Sequence, residues 1–173
     1  MSTIHTYAIT PFIQGLKALT AILKKGEEHA KANNIPLEDL VNASLIADMK
    51  PLSFQVFIAT NTAVKLVSRA TFVEPPAQSD TDKTFDDFYK RIDEALAVLE
   101  KADAQTIAAN EGKTFKAPLG PREFEFTPES YTNSYAVPNF YFHLVTAYDI
   151  LRAKGVPVGK MDYLKDFLGD IAA

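Results

Sequence analysis

The stretch Pro138–Lys154, PNFYFHLVTAYDILRAK, decides the fold. Tyr141, Leu144, Tyr148 and Leu151 recur at helical spacing and form one stripe. Phe140, His143, Ala147 and Ile150 form a second beside it. Two adjacent apolar stripes mean a helix covered on most sides. Asp149, Arg152 and Lys154 mark its narrow wet face. A helix covered in this way needs several partner helices, so a bundle follows.

Working outward, Gly155 suits the end of this helix. Lys160–Leu168 reads as a short tail helix that packs back through Tyr163 and Phe167. Upstream, Thr127-Pro-Glu-Ser130 is a helix start, with a Thr cap, Pro in the first turn and an acid after it. Between Ala104 and Phe126, the Gly-Pro turn in LGPR and the alternation in EFEF predict a small two-stranded hairpin over one end of the bundle.

Three more long helices complete the set. Phe12, Leu16, Leu19 and Leu23 stripe a helix over Thr10–Asn33. Pro11 either opens it or kinks a longer helix begun near Thr3, and the second option is favoured because it places Ile4 and Ile9. Leu52, Val56, Ala59, Ala63, Leu66 and Ala70 stripe a helix over Leu45–Ala70, irregular before Pro51. Pro36–Ala43 between them reads as a short helical turn. Thr84-Phe-Asp-Asp87 resembles a capping box that starts a third helix, with Phe85, Phe88, Ile92, Leu96 and Leu99 inward. The Pro-rich, polar segment Thr71–Lys83 is a surface connection. Short links between four such helices point to an up-down bundle.

The 173 residues are 47% hydrophobic and 23% charged, which fits a single globular domain spanning 1–173. There is no cysteine, so thiol catalysis, Cys-bound metal and disulfides are excluded. The opening MSTIHTYAIT has no basic region followed by an apolar run, so no signal peptide is expected. No apolar run reaches the ~20 residues of a membrane helix. A soluble, cytoplasmic protein with no membrane partner is the expectation. The net charge is −4 and the charges are interspersed, so nucleic acid is not an expected partner.

His143 is the centre of the candidate site. It is read either as a core histidine with both ring nitrogens bonded or as an acid, base or ligand-binding group lining a pocket. Asp48 lies in the largely apolar run SLIADMKPL. There it either caps the next helix or serves the site. Gln55 shares a helical face with Asp48 and could meet His143 across the bundle. Tyr141 and Tyr148 read as core residues whose hydroxyls reach a partner or a pocket. Asn139 braces a neighbouring segment or bonds its own backbone. The histidines His5, His29 and His143 show no metal-ligand spacing, and no GxGxxG, P-loop, GxSxG or HExxH occurs. No cofactor is expected; a divalent metal is unsupported.

Three runs carry a family resemblance: PNFYFHLVTAYDILRAKGVPVGKMDYL (138–164), SLIADMKPLSFQV (44–56) and FIQGLKALTAILKKGEEHA (12–30). They resemble the signatures of DUF1993, a family of unknown function beside the DinB/YfiT-like helical bundles. The resemblance implies an all-α, up-down-down-up four-helix bundle, with the hairpin as an insertion and a short C-terminal helix. It also implies a homodimer. Many DinB-like relatives hold a divalent metal with three histidines, two of them at i, i+4 on the last long helix. The matching positions here are Asp48 or a near neighbour, His143 and Ala147, and alanine cannot ligate a metal.

The leading expectation is therefore a small molecule bound in the bundle interior. Asp48, Gln55, His143 and Tyr148 would line the cavity, with Asn139 and Tyr141 nearby. Metal-independent acid–base chemistry of isomerase, cyclase or lyase type would run at His143 with Asp48. The rivals are a non-catalytic dimeric interaction protein with a filled core, and a DinB-like metalloenzyme with a degraded site.

Overall fold

The computed structural model describes residues 2–75 and 77–169. Its elements are α1 (Thr10–Ala32), α2 (Leu37–Val41), α3 (Leu52–Thr71), α4 (Phe85–Glu100), α5 (Ala104–Ala109), β1 (Phe115–Leu119), β2 (Arg122–Phe126), α6 (Pro128–Tyr131), α7 (Val137–Ala153) and α8 (Lys160–Leu168). The long helices α1, α4, α3 and α7 form the bundle around one apolar core.

Three sets of contacts give the directions. Gly15 faces Phe140 and Leu144, and Gly26 faces Leu151, so α1 and α7 run parallel. Gln55 meets His143 while Thr62 meets Asn139, so α3 and α7 are antiparallel. Arg91 lies over Phe57, and further along Val98 and Ala102 border Val64 and Val67, so α3 and α4 are parallel. The order is up-down-down-up, as the resemblance implies, and not the simple up-down arrangement suggested by short connections.

A parallel α3–α4 pair has a cost in chain length. The link must return along α3, which is about 30 Å long at ~1.5 Å per residue. Residues 72–84 make that crossing, which is why this segment is long and polar. Arg91 fastens it. The guanidinium bonds both carboxylate oxygens of Asp82, the Ser79 carbonyl (2.6 Å) and Gln78 Oε1 (3.0 Å). At the far end Thr84 and Asp87 form the expected capping box of α4.

The prolines shape the two parallel helices in the same way. A wide π turn, His5–Ile9, precedes Pro11, and a second, Thr132–Ala136, precedes Pro138. Thr10 N–H reaches back to the His5 carbonyl, and Val137 N–H to that of Thr132. Proline lacks an N–H and crowds the preceding turn, and a wider turn relieves both problems. The chain is helical from Thr3 onward, so the longer first helix is the correct reading.

One expected boundary is corrected. The helix expected from Leu45 begins only at Leu52, with Pro51 in the capping position. Proline disfavours helical geometry in the residue before it. Residues 43–51 instead form a loop that leads into α3, and the Leu52 N–H bonds the Ala43 carbonyl (2.8 Å).

The hairpin pairs Phe115 with Phe126 and turns at Gly120, whose φ of 60° suits glycine. Phe115 and Phe126 both pack edge-on against Tyr131, which ties the hairpin to α6. Tail helix α8 lies against α1 and α7. Gln14 on α1 donates to the Phe167 carbonyl (3.3 Å), and Tyr163 packs on Tyr148 of α7. Among the described residues no helix is long and apolar enough to cross a membrane.

Gly15 tests the parallel contact. A Cβ there would stand 2.6 Å from Phe140, whose ring is fully buried and stacked on Phe12 at 4.0 Å. Gly15→Ala is expected to destabilise by about 1–3 kcal/mol through overpacking, despite the ~1 kcal/mol alanine gains in a helix. Thermal unfolding measures it; a raised Tm would mean the helices do not approach this closely.

Candidate functional site

α3 and α7 are joined by two polar pairs within an otherwise apolar seam. Asn139 Nδ2 donates to Thr62 Oγ1 at 2.8 Å. One turn along α7, His143 Nδ1 stands 2.7 Å from Gln55 Oε1. Antiparallel helices bring these residues together because 139 and 143 share a face of α7, and 55 and 62 share a face of α3. Asn139 thus braces the neighbouring helix.

The hydrogen-bond roles of the second pair follow from its surroundings. Gln55 is buried, and its Nε2 donates to the Lys50 carbonyl (2.8 Å). Its Oε1 must then be the atom that faces His143, and an amide oxygen only accepts. The imidazole therefore carries its proton on Nδ1 and presents a bare lone pair at Nε2. The half-buried ring sits edge-on to Phe54 and Phe142. Burial pushes its pKa down to about 4, so the ring is uncharged at neutral pH.

Asp48 does not join this pair. It is exposed in the 43–51 loop, and it forms no hydrogen bond or ion pair with a described residue. It does not cap α3 either, where Pro51 holds the capping position. An adjacent carboxylate would stabilise the charged imidazole, whereas His143 is shifted by burial alone. The physical reason is the late start of α3. Residue 48 lies outside the helix, so it no longer shares a face with Gln55.

The aromatic residues of the expected site also separate. Tyr141 is half-buried against Phe12 and Phe140, and burial pushes its hydroxyl up to about 12. Tyr148 donates to the Val158 carbonyl (3.3 Å) and borders a surface cleft with Val145 and Tyr163. The bundle interior is occupied by Phe12, Leu16, Leu19, Phe88 and Phe140, each fully buried. Among the described residues, five surface clefts are lined by side chains other than Asp48, Gln55 and His143.

Two side chains bordering the seam belong to neither apolar stripe of α7. Phe142 is 58% exposed and Val145 40%. Their apolar character on the face that should be wet was the available sequence signal. Thr62, the partner of Asn139, carried no such signal, because a threonine in an apolar stripe looks like ordinary packing.

A profile described as "Domain of unknown function (DUF1993)" matches residues 4–164. The chain belongs to the DUF1993 family. A crystal structure of a DinB family member protein from Shewanella denitrificans is 34% identical, with a TM-score of 0.85, over 93% of this chain and 91% of that one. No curated protein sequence matches. This DUF1993 chain therefore has the DinB-like fold. Its residues do not fit the trihistidine metal site of DinB-like relatives. Beside His143 stand an amide, Gln55, and the fully buried methyl of Ala147. Among the described residues no three His, Cys, Asp or Glu side chains cluster to hold a metal ion.

The His143–Gln55 contact has a pH signature. As pH falls below about 6.5, an unfolded chain takes up a proton that the folded ring refuses until about 4. This histidine's contribution to stability is thus present above 6.5 and is lost as pH falls towards 4. NMR of the ring should give a midpoint near 4 in the wild type. Gln55→Glu should raise that midpoint by roughly a unit or more, by setting a carboxylate against Nδ1. An unmoved midpoint would mean that residue 55 does not touch the ring.

Proposed function

We propose that this DUF1993 protein is a non-catalytic interaction protein that pairs with a second copy of itself across the outer α3–α7 face. The observation that carries the reading is the apolar character of that face. Phe142 and Val145 stand exposed on α7, and Leu45 (42% exposed) and Ile46 (60%) stand in the loop leading into α3. Exposed apolar side chains mark an interaction surface where they cluster, as Phe142 and the half-buried Phe54 do around His143. His143 suits such a surface because it is neutral, and covering a neutral ring costs far less than covering a charge. A packed interior and an imidazole without a carboxylate favour this reading over acid–base turnover.

Sedimentation velocity across a concentration series tests it. The wild type is expected at twice the 19.1 kDa chain mass, and Phe142→Glu at the single-chain mass with unchanged helicity. A wild type that stays at the single-chain mass at every concentration would rule the pairing out.

The fixed tautomer favours a second reading, a small-molecule site at the same seam. Nε2 of His143, on a ring flanked by Phe54 and Phe142, offers one acceptor to an apolar ligand bearing an O–H or N–H. Such compounds should raise the Tm of the wild type and leave His143→Phe unmoved. Equal shifts in both proteins would discard this reading.

A further inference from the structure

The parallel pairing of α3 and α4 leaves a groove on the opposite flank of α3 from His143. Its volume is about 390 Å³. Its walls are apolar: Val64 and Val67 from α3, Val98 from α4, and Ala102 just beyond α4. The crossover passes over it, with Val73 and Pro75 on its border. Val73 is 64% exposed, an apolar side chain kept at the surface beside an apolar hollow. A volume of this size falls within the ~300–1,000 Å³ range typical of small-molecule sites.

Three hydroxyls line the groove, and two are committed. Thr71 donates to the Val67 carbonyl (2.8 Å), and Thr106 donates to Asp103 Oδ2 (2.6 Å). Ser68 is different. It is only 6% exposed, yet its hydroxyl bonds no described protein group. A serine inside a helix ordinarily turns its hydroxyl back to the carbonyl four residues earlier. Here the hydroxyl remains available to something in the groove.

Charge at the mouth narrows the choice of ligand. Lys101 and Glu74 oppose each other in sign, and Asp103 is engaged in capping α5 through the Gln105 and Thr106 amides. Among the described lining residues, Lys101 is matched in number by Glu74 and Asp103 brings a further negative charge, so the mouth has no excess of positive charge to favour an acid. Glu74 shares the rim with Lys101, whose like sign to an ammonium offsets the attraction of the carboxylate for an amine.

We propose that this groove binds an uncharged aliphatic molecule carrying one hydroxyl or carbonyl, its chain along the valines and its polar group on Ser68. The site is independent of the self-pairing face, so the two stand or fall separately.

Methyl-selective NMR of the full chain tests it, with 1-octanol as probe and octanoate and octylamine as charged comparators. Octanol should give saturable shifts at Val64, Val67, Val73 and Val98, and bind more tightly than either comparator. Ser68→Ala should weaken it by about 3- to 10-fold, the range for one neutral hydrogen bond. Val98→Trp, which fills the groove from a half-exposed position, should abolish it while the remaining methyl spectrum reports an intact fold. Any one of four outcomes overturns the proposal. These are no saturable shifts, tighter binding of octanoate or octylamine, affinity unchanged by Ser68→Ala, or binding that survives Val98→Trp.

Discussion

The close approach of α1 and α7 at Gly15 constrains the rest of the molecule. The missing side chain lets Phe140 lie against the α1 backbone, and Phe12 stacks on that ring, 15° from coplanar. Helices α1 and α7 are thereby fixed side by side and parallel. Once they are parallel, α3 and α4 must share the opposite direction, and their link has to travel the length of the bundle. The long polar crossover, its attachment to Arg91 and the groove it passes over all follow from that first contact. Aromatic stacking adds about 0.5–1.5 kcal/mol beyond burial. Here it also sets direction, which area alone cannot do.

Helix identity was legible because period and punctuation agreed. Thr84 and Asp87 formed the capping box their spacing suggested, and the Gly-Pro turn at 120 produced the hairpin. Helix direction was not legible from pattern alone. A stripe of leucines reads the same either way, and only the resemblance supplied the up-down-down-up order. The start of α3 was misjudged for a local reason. Leu45 and Ile46 extended the apolar pattern backwards, but they stand exposed in the 43–51 loop and are not helical.

The candidate site was legible in part. His143 and Gln55 do meet, as shared helical faces allowed, and Asn139 does brace its neighbour. Asp48 failed as a partner because its supposed helix had not yet begun. This error changes the chemistry. A histidine beside a carboxylate holds charge and can serve as a strong base, whereas one beside an amide in an apolar seam is neutral and weakly basic. The DinB-like fold is kept, and at this position the side chains that would make it a metal centre are absent.

Helix α8 has a further consequence. None of its residues is fully buried, and its polar ties to α1 are the Lys25–Asp162 ion pair and the single bond from Gln14. The ion pair is partly exposed and weakens as salt rises. Its apolar hold is packing along α1 together with the half-buried ring cluster of Tyr163 and Phe167 against Tyr148 and Tyr141. An element held this way opens at a lower free energy than the four-helix core. The strip beneath α8 carries Tyr141 and Tyr148 of α7 beside Gln14 and Lys25 of α1, so local opening of the tail would wet two tyrosine rings before it reached the core.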